Sequence, residues 1–246
     1  MSSEYDSITA FHYAAYRPTL HNAILNRCIS RENISSLGLD IGCGIGHSSI
    51  ALTKFCEKVV GVDPSKSMIK NAIEHQKVEY QNSDCQVLDF DSDSFDLVTF
   101  AGSLYYAKSQ RLLDEVVRVA KNKGLVIIYD FEILVGDVLK GLGFSSKKDD
   151  TYNHETDFSG LSAHSISLIS NEKETAKINV SVTNLAHLIL SVKEHYLFFN
   201  EKLVADNLHH QLSERLFELI ESTDFEIDAK LYYKVYLISK SDLDIN

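Results

Sequence analysis

Long apolar runs are missing from this 246-residue chain. None approaches the roughly 18 residues that a membrane-spanning helix needs. The opening Met1-Ser2-Ser3-Glu4-Tyr5-Asp6 is polar and acidic, where a secretory signal would be basic and then apolar. These absences predict a cytoplasmic protein with no membrane partner. Positive charge is scarce as well: 24 Lys and Arg stand against 35 Asp and Glu, a net charge of −11. Nucleic-acid binding depends on Lys and Arg neutralising phosphates. No basic cluster stands out, and Lys147-Lys148 is cancelled at once by Asp149-Asp150, so no nucleic-acid partner is expected. The four cysteines, Cys28, Cys43, Cys56 and Cys85, have the spacing of neither a metal site nor a disulfide framework. They read as free thiols in a reducing compartment, and no metal is expected. Internal repeats and low-complexity tracts are also lacking.

What is present is ordinary in bulk and specific in one place. Hydrophobic residues make up 44% and charged residues 24% of the chain, as in soluble globular proteins. The length suits one α/β domain with an insertion. The specific place is Asp40-Ile41-Gly42-Cys43-Gly44-Ile45-Gly46, which follows the apolar run Ser36–Leu39 and precedes a helical pattern. Glycines at alternate positions let the backbone turn sharply and approach a ligand with no Cβ in the way, and a helix after such a turn can direct N–H groups at it. The next apolar run, Val59-Val60-Gly61-Val62, ends in Asp63, about twenty residues beyond Gly42, where doubly wound α/β folds read ribose hydroxyls. A dinucleotide fingerprint would need its third glycine at His47, where it is missing. A carboxylate at Asp40 would repel a pyrophosphate but suits a ligand that carries an ammonium group.

On these residues the chain resembles the class I S-adenosylmethionine-dependent methyltransferases, whose first motif has the form acid-x-Gly-x-Gly-x-Gly. The resemblance implies S-adenosyl-L-methionine as cofactor and a small-molecule acceptor. Gly42, Gly44 and Gly46 would then line the turn beneath the methionine and ribose, and Asp40 would help hold the amino group, mostly indirectly. Asp63 would accept the ribose hydroxyls, while also being able to cap the helix after Pro64-Ser65. In Asn82-Ser83-Asp84-Cys85 the Asp84 carboxylate would meet the adenine amino group and the Cys85 N–H a ring nitrogen. Met68 would pack on the adenine or ribose, and the backbone at Ala101 and Gly102 would face the methionine ammonium. Tyr13 and Arg17 resemble an N-terminal lid. The Asn/Asp-Pro-Pro-Tyr/Phe signature of amino-methylating enzymes is absent, since the chain has only two prolines.

The resemblance and the alternation of strands with helices predict a doubly wound, mostly parallel seven-stranded sheet with an antiparallel last strand. A single domain is expected, with a helical lid over 1–30, a cofactor-binding half over 31–135, an insertion over 136–176, and a C-terminal half over 177–246 that completes the sheet. In this reading helices run from Ile45 to about Phe55, from Pro64 through Ile73, and over 184–197 and 200–222; strands cover 124–130, 177–182 and 229–239. Methyl transfer requires positioning more than side-chain chemistry, so the acceptor site has no motif. Tyr105, Tyr106, Tyr152, His154, His164, His187 and Tyr196 are its candidates. An NAD-dependent oxidoreductase and a binder of S-adenosylmethionine without transfer activity are the competing readings.

Overall fold

Short apolar segments, each ending at a polar turn, build the sheet. In a computed structural model, which describes residues 7–18, 20–30, 34–145, 152–203 and 207–240, β1 (Ser35–Ile41) lies between β2 (Cys56–Asp63) and β4 (Phe95–Ala101). β3 (Val78–Asn82) flanks β2, and β5 (Ala120–Ile133) flanks β4. All four of these pairings are parallel, with registers such as Leu39↔Val60, Leu39↔Val98 and Ala101↔Tyr129. The inner stretches of β1, β2, β4 and β5 are buried on both faces, which is why they read as near-continuous apolar runs, whereas β3 at the edge has no fully buried residue. Beyond β5 come β7 (Asp224–Ile238) and then β6 (Ile166–Ser181), giving the order β3-β2-β1-β4-β5-β7-β6. The Ser239 N–H→Ser165 O and Val182 N–H→Thr223 O bonds close opposite ends of the β6–β7 pair, so the two run antiparallel. The expected sheet is found.

Two compact units can be told apart. One comprises Leu20–Phe131, Asp150–Glu174 and Leu231–Asn246; the other comprises Met1–Thr19, Glu132–Asp149 and Thr175–Lys230. The first has a core of β1, β2, β4 and β5 residues, closed by Leu112, Leu113, Val116 and Val119 of α6 (Gln110–Val119). These four recur at helical spacing, and Ser109 starts the helix by accepting the Leu112 N–H. The first unit also holds α2 (Leu20–Cys28), α3 (His47–Leu52), α4 (Lys66–Lys70) and α5 (Leu104–Ala107). The second contains α1 (Ser7–Ala15) and α7 (Gly136–Gly141). Its core is built from α8 (Val182–Leu190), α9 (Lys193–Lys202) and α10 (Leu208–Ile220), with Leu185, Ile189, Phe199, Leu212 and Leu216 at its centre. Among the described residues no helix is long and apolar enough to cross a membrane.

Several element boundaries differ from expectation. The helix after the glycine turn stops at Leu52, because the chain must already enter β2 at Cys56. Pro64 lies outside α4: Ser65 is its N-cap, accepting the Met68 N–H, and the helix ends at Lys70, before Ala72 and Ile73. The supposed insertion 136–176 contains α7 and eleven residues of β6, while residues 146–151 lie outside the described residues. The 184–222 stretch forms three helices and not two, since the chain turns at Ser191-Val192 with neither glycine nor proline there to announce it.

Candidate active site

The glycine turn is shaped by what surrounds each glycine. Gly42, Gly44 and Gly46 all have positive φ, at 74°, 57° and 97°. A Cβ on Gly42 would lie 2.3 Å from Ser103 Cβ, and one on Gly46 would lie 1.9 Å from the Tyr80 hydroxyl. These two glycines serve close packing. At Gly44 a Cβ would meet nothing within 4 Å, so this glycine leaves open space above the turn. The turn is fastened from several sides: Gly42 and Cys43 donate to Val62 O, Gly46 donates to Cys43 O, and Gly44 donates to Asp63 Oδ2 at 2.9 Å. α3 has only six residues, so the site rests on the turn and on Asp63 and owes little to a helix dipole.

Asp40 is wholly buried. Ser48 and Ser49 donate to its Oδ2 at 2.5 and 2.7 Å, and Thr99 donates to Oδ1 at 2.9 Å. Burial pushes its pKa up, against the pull of those three hydroxyls. The carboxylate therefore ties β1, α3 and β4 together under the turn, and any influence on a ligand's ammonium is indirect. Its two Oδ2 donors, Ser48 and Ser49, both lie on α3. Asp63, also buried, accepts Gly44 N–H on one oxygen and Ser65 N–H (2.8 Å) on the other. The helix cap is Ser65, so Asp63 is a clasp between the two turns. A carboxylate offers about four lone-pair sites, which leaves capacity for hydroxyl donors.

Met68 is half-buried on α4. Asp84 is exposed, and its Oδ1 accepts the Gln86 and Val87 N–H groups. The Cys85 N–H is engaged by Ser83 Oγ at 3.3 Å, with Cys85 itself at φ 62°. Burial raises the thiols of Cys28, Cys43, Cys56 and Cys85, which makes them poor nucleophiles at neutral pH. Ala101 ends β4, and Gly102 (φ 69°) donates to Tyr129 O. Ser103 donates to Ile41 O, joining this loop to the end of β1.

Around Gly102 the structure brings together four of the expected acceptor-side residues. The Tyr152 hydroxyl lies 2.8 Å from Gly102 O and 2.9 Å from Asp130 Oδ2, and His154 Nδ1 lies 2.7 Å from the same Asp130 oxygen. The Tyr105 and Tyr106 rings lie 4.6 and 5.8 Å from the Tyr152 ring. His187 has other company: in the second unit its Nδ1 lies 2.8 Å from His12 Nδ1, and its ring stacks on His209 at 3.8 Å. Tyr196 also belongs to that unit, packed against its core, and His164 is an exposed residue before β6. Tyr13 and Arg17 lie in the second unit too, with the guanidinium 3.5 Å from the Tyr13 ring centroid. They therefore pair with each other in a unit distinct from that of the glycine turn.

Tyr80 and Asp130 escaped sequence reading. The Tyr80 hydroxyl is buried without a hydrogen-bond partner, and burial pushes its pKa up to about 12. Asp130 follows an apolar parallel strand just as Asp63 does, so the same rule could have found it. A groove of about 680 Å³ lined by Leu37, Lys58, Val78 and Phe95 lies at the amino ends of the strands, opposite the ends where such folds bind ligands.

Residues 39–128 match the family model described as a methyltransferase domain. Over this segment the chain is similar to methyltransferase domains. The chain has relatives among curated proteins. It is 31% identical over 126 residues to a Dictyostelium discoideum protein provisionally named a methyltransferase, covering 50% of this chain and 47% of that one. It is 36% identical over 98 residues to the demethylmenaquinone methyltransferase of Clavibacter sepedonicus (38% and 40% covered). It is 37% identical over 92 residues to a ubiquinone biosynthesis O-methyltransferase of Coxiella burnetii (35% and 39% covered). The chain thus spans about half the length, or less, of these curated relatives. The fold of the whole chain is similar to that of an Anaeromyxobacter dehalogenans structure provisionally titled a type II methyltransferase. There the TM-score is 0.63 at 16% identity, with 91% of this chain and 98% of that one covered.

Proposed function

We propose that the chain transfers a methyl group from S-adenosylmethionine to a small-molecule acceptor. The observation that carries this reading is the open space above Gly44, bordered by the Asp63 clasp, at the carboxyl ends of parallel strands. The residues fit the cofactor. A turn of three positive-φ glycines admits a nucleoside closely, and the Asp63 carboxylate beside it suits a ligand with hydroxyls and an ammonium and no phosphates. Asp63 would take the ribose hydroxyls and Asp84 the adenine amino group. Met68 and the backbone at Ala101 and Gly102 would border the ligand. When bound, S-adenosylmethionine supplies a methyl group already activated on a positively charged sulfur. The chain then has to hold an acceptor in line and exclude water.

The net charge of −11 supports an uncharged or cationic small acceptor over a polyanion. The names of the menaquinone and ubiquinone relatives point the same way. Calorimetric titration with S-adenosylmethionine, S-adenosylhomocysteine and NAD tests the reading. Binding of the first two and not of NAD is expected; tight NAD binding alone would make the protein an oxidoreductase. Binding of S-adenosylmethionine with no turnover across a metabolite panel would leave it a binder without transfer activity.

A further inference from the structure

Methyl transfer needs a base only when the attacking atom carries a proton that must leave, and one feature of the first unit answers that need. Asp130 sits one residue past the last register pair of β4 and β5, Ala101↔Tyr129. Its side chain is only 17% exposed, and that of His154 is 29% exposed. Asp130 Oδ1 accepts the Phe131 N–H at 2.8 Å, which fixes the carboxylate plane. Oδ2 then faces His154 Nδ1 at 2.7 Å. A carboxylate against Nδ1 keeps the proton on that nitrogen, so the neutral imidazole carries its lone pair on Nε2. This is the tautomer that a general base requires.

The neighbouring cations are otherwise engaged. Lys234 pairs with Asp157 at 2.5 Å and Lys173 with Glu155 at 2.6 Å. Around the imidazole stand Tyr152 and Glu155 of its own segment, Glu172 of β6, and Tyr232 and Lys234 of β7, with the Tyr232 ring stacked at 5.5 Å. Lys173 lies over the Tyr232 ring at 5.0 Å. Asp130 is therefore the carboxylate that orients His154. Beside the Tyr152 ring, Tyr105 is 37% exposed and Tyr106 is 71% exposed. Two tyrosines presenting their rings to solvent beside a third form a surface on which a flat ring can lie.

We propose that His154, oriented by Asp130, accepts the proton of a hydroxyl on an aromatic acceptor that lies against Tyr105, Tyr106 and Tyr152. The inference rests on the methyl-transfer reading and names its acceptor class. The acceptor oxygen bonds to the methyl carbon as the S–CH3 bond breaks, its electron pair staying on sulfur. The hydroxyl proton passes to His154 Nε2, and Asp130 stabilises the resulting imidazolium. The products are an aryl methyl ether and a neutral thioether, and the proton leaves later to solvent. Tyr152 and Asp130 are positioning residues, while His154 touches the reacting hydroxyl.

The test compares wild type, His154→Gln and Asp130→Asn. Each is first titrated with S-adenosylhomocysteine, where equal affinities show that the cofactor site and fold are kept. The acceptors are catechol, hydroquinone and 4-hydroxybenzoate, each with its nitro-substituted counterpart, whose hydroxyl is more acidic. With the plain phenols, His154→Gln is expected to lower kcat about 10²-fold, the scale of general base catalysis. With an already ionised nitrophenol the loss should be less than tenfold. NMR titration of His154 should show a lower pKa in Asp130→Asn than in wild type, which reports the coupling of the pair, while the contrast between plain and ionised phenols reports the base. Failure of wild type to bind S-adenosylmethionine would remove the methyl-transfer reading, and this proposal with it. Cofactor binding with no phenol methylated would overturn the acceptor class alone. Equal loss on both kinds of phenol, or no loss, would overturn the base, and an unshifted His154 would overturn its coupling to Asp130.

Discussion

Glycines of the same turn differ in what a side chain would cost, and that separates folding from binding at single positions. Gly46→Ala drives a Cβ to within 1.9 Å of the Tyr80 hydroxyl at φ 97°. It should cost the left-handed penalty of about 1–2 kcal/mol together with about 1–3 kcal/mol of overpacking, read as a lower urea midpoint. Gly44→Ala meets no atom, so it should keep the fold to within about 1–2 kcal/mol while filling the space proposed for the cofactor. The expected outcome is a near-normal melt with lost calorimetric binding. A strand-end position suggests that Asp63 is dispensable for folding, but its two backbone donors change that expectation. Asp63→Ala should cost about 1–3 kcal/mol of stability besides weakening cofactor binding, and parallel melts and titrations measure both. Tyr80→Phe removes a buried hydroxyl with no partner, so its melting temperature should stay level or rise. At this scale the sequence made the glycines and Asp63 legible, because backbone conformation and strand ends leave a residue-type signature. It did not reveal that Asp40 is consumed by Ser48, Ser49 and Thr99, since two of those hydroxyls lie on α3 beyond the glycine turn and the third lies on another strand.

Elements with a strong period were readable, and those without one were not. α6 has both a stripe and a serine cap, and Ser109→Ala should cost about 1 kcal/mol, measurable by urea unfolding. β6 is mostly exposed along its length; as an edge strand it has no alternating apolar face, which is why half of it passed for a loop. The pairing of α1, α8 and α10 through histidines was equally hidden, because His12, His187 and His209 are far apart in sequence. Burial, and then the neighbouring His187 and His209, lower the His12 pKa to about 4, and His187 is shifted down as well. A histidine depressed on folding binds its proton first in the unfolded chain. The stability it permits is whole above the ordinary value near 6.5 and is lost as the pH falls from there through about 4. Protection factors of the α1 amides, corrected for the slower intrinsic exchange in acid, should be lower at pH 5 than at pH 7, and His12→Phe should flatten that difference.

For the whole molecule, an excess of eleven negative charges predicts no retention on immobilised DNA or RNA at 0.15 M salt, while a column of either that held the protein would reopen the question of a polyanionic acceptor. The order of the sheet was foreseeable because each crossover is dictated by chirality; the division into two units was not, since each draws on three separated stretches of chain. The family match ends at residue 128, two positions before Asp130 and well before Tyr152, His154 and Tyr232. Kinship is thus scored on the stretch that contains the glycine turn, while Asp130, Tyr152 and His154, the proposed base and its positioning residues, fall outside it. Drift in those later positions would redirect the chemistry without disturbing the ancestral signature, so two proteins could be close cousins by this measure and methylate unrelated compounds.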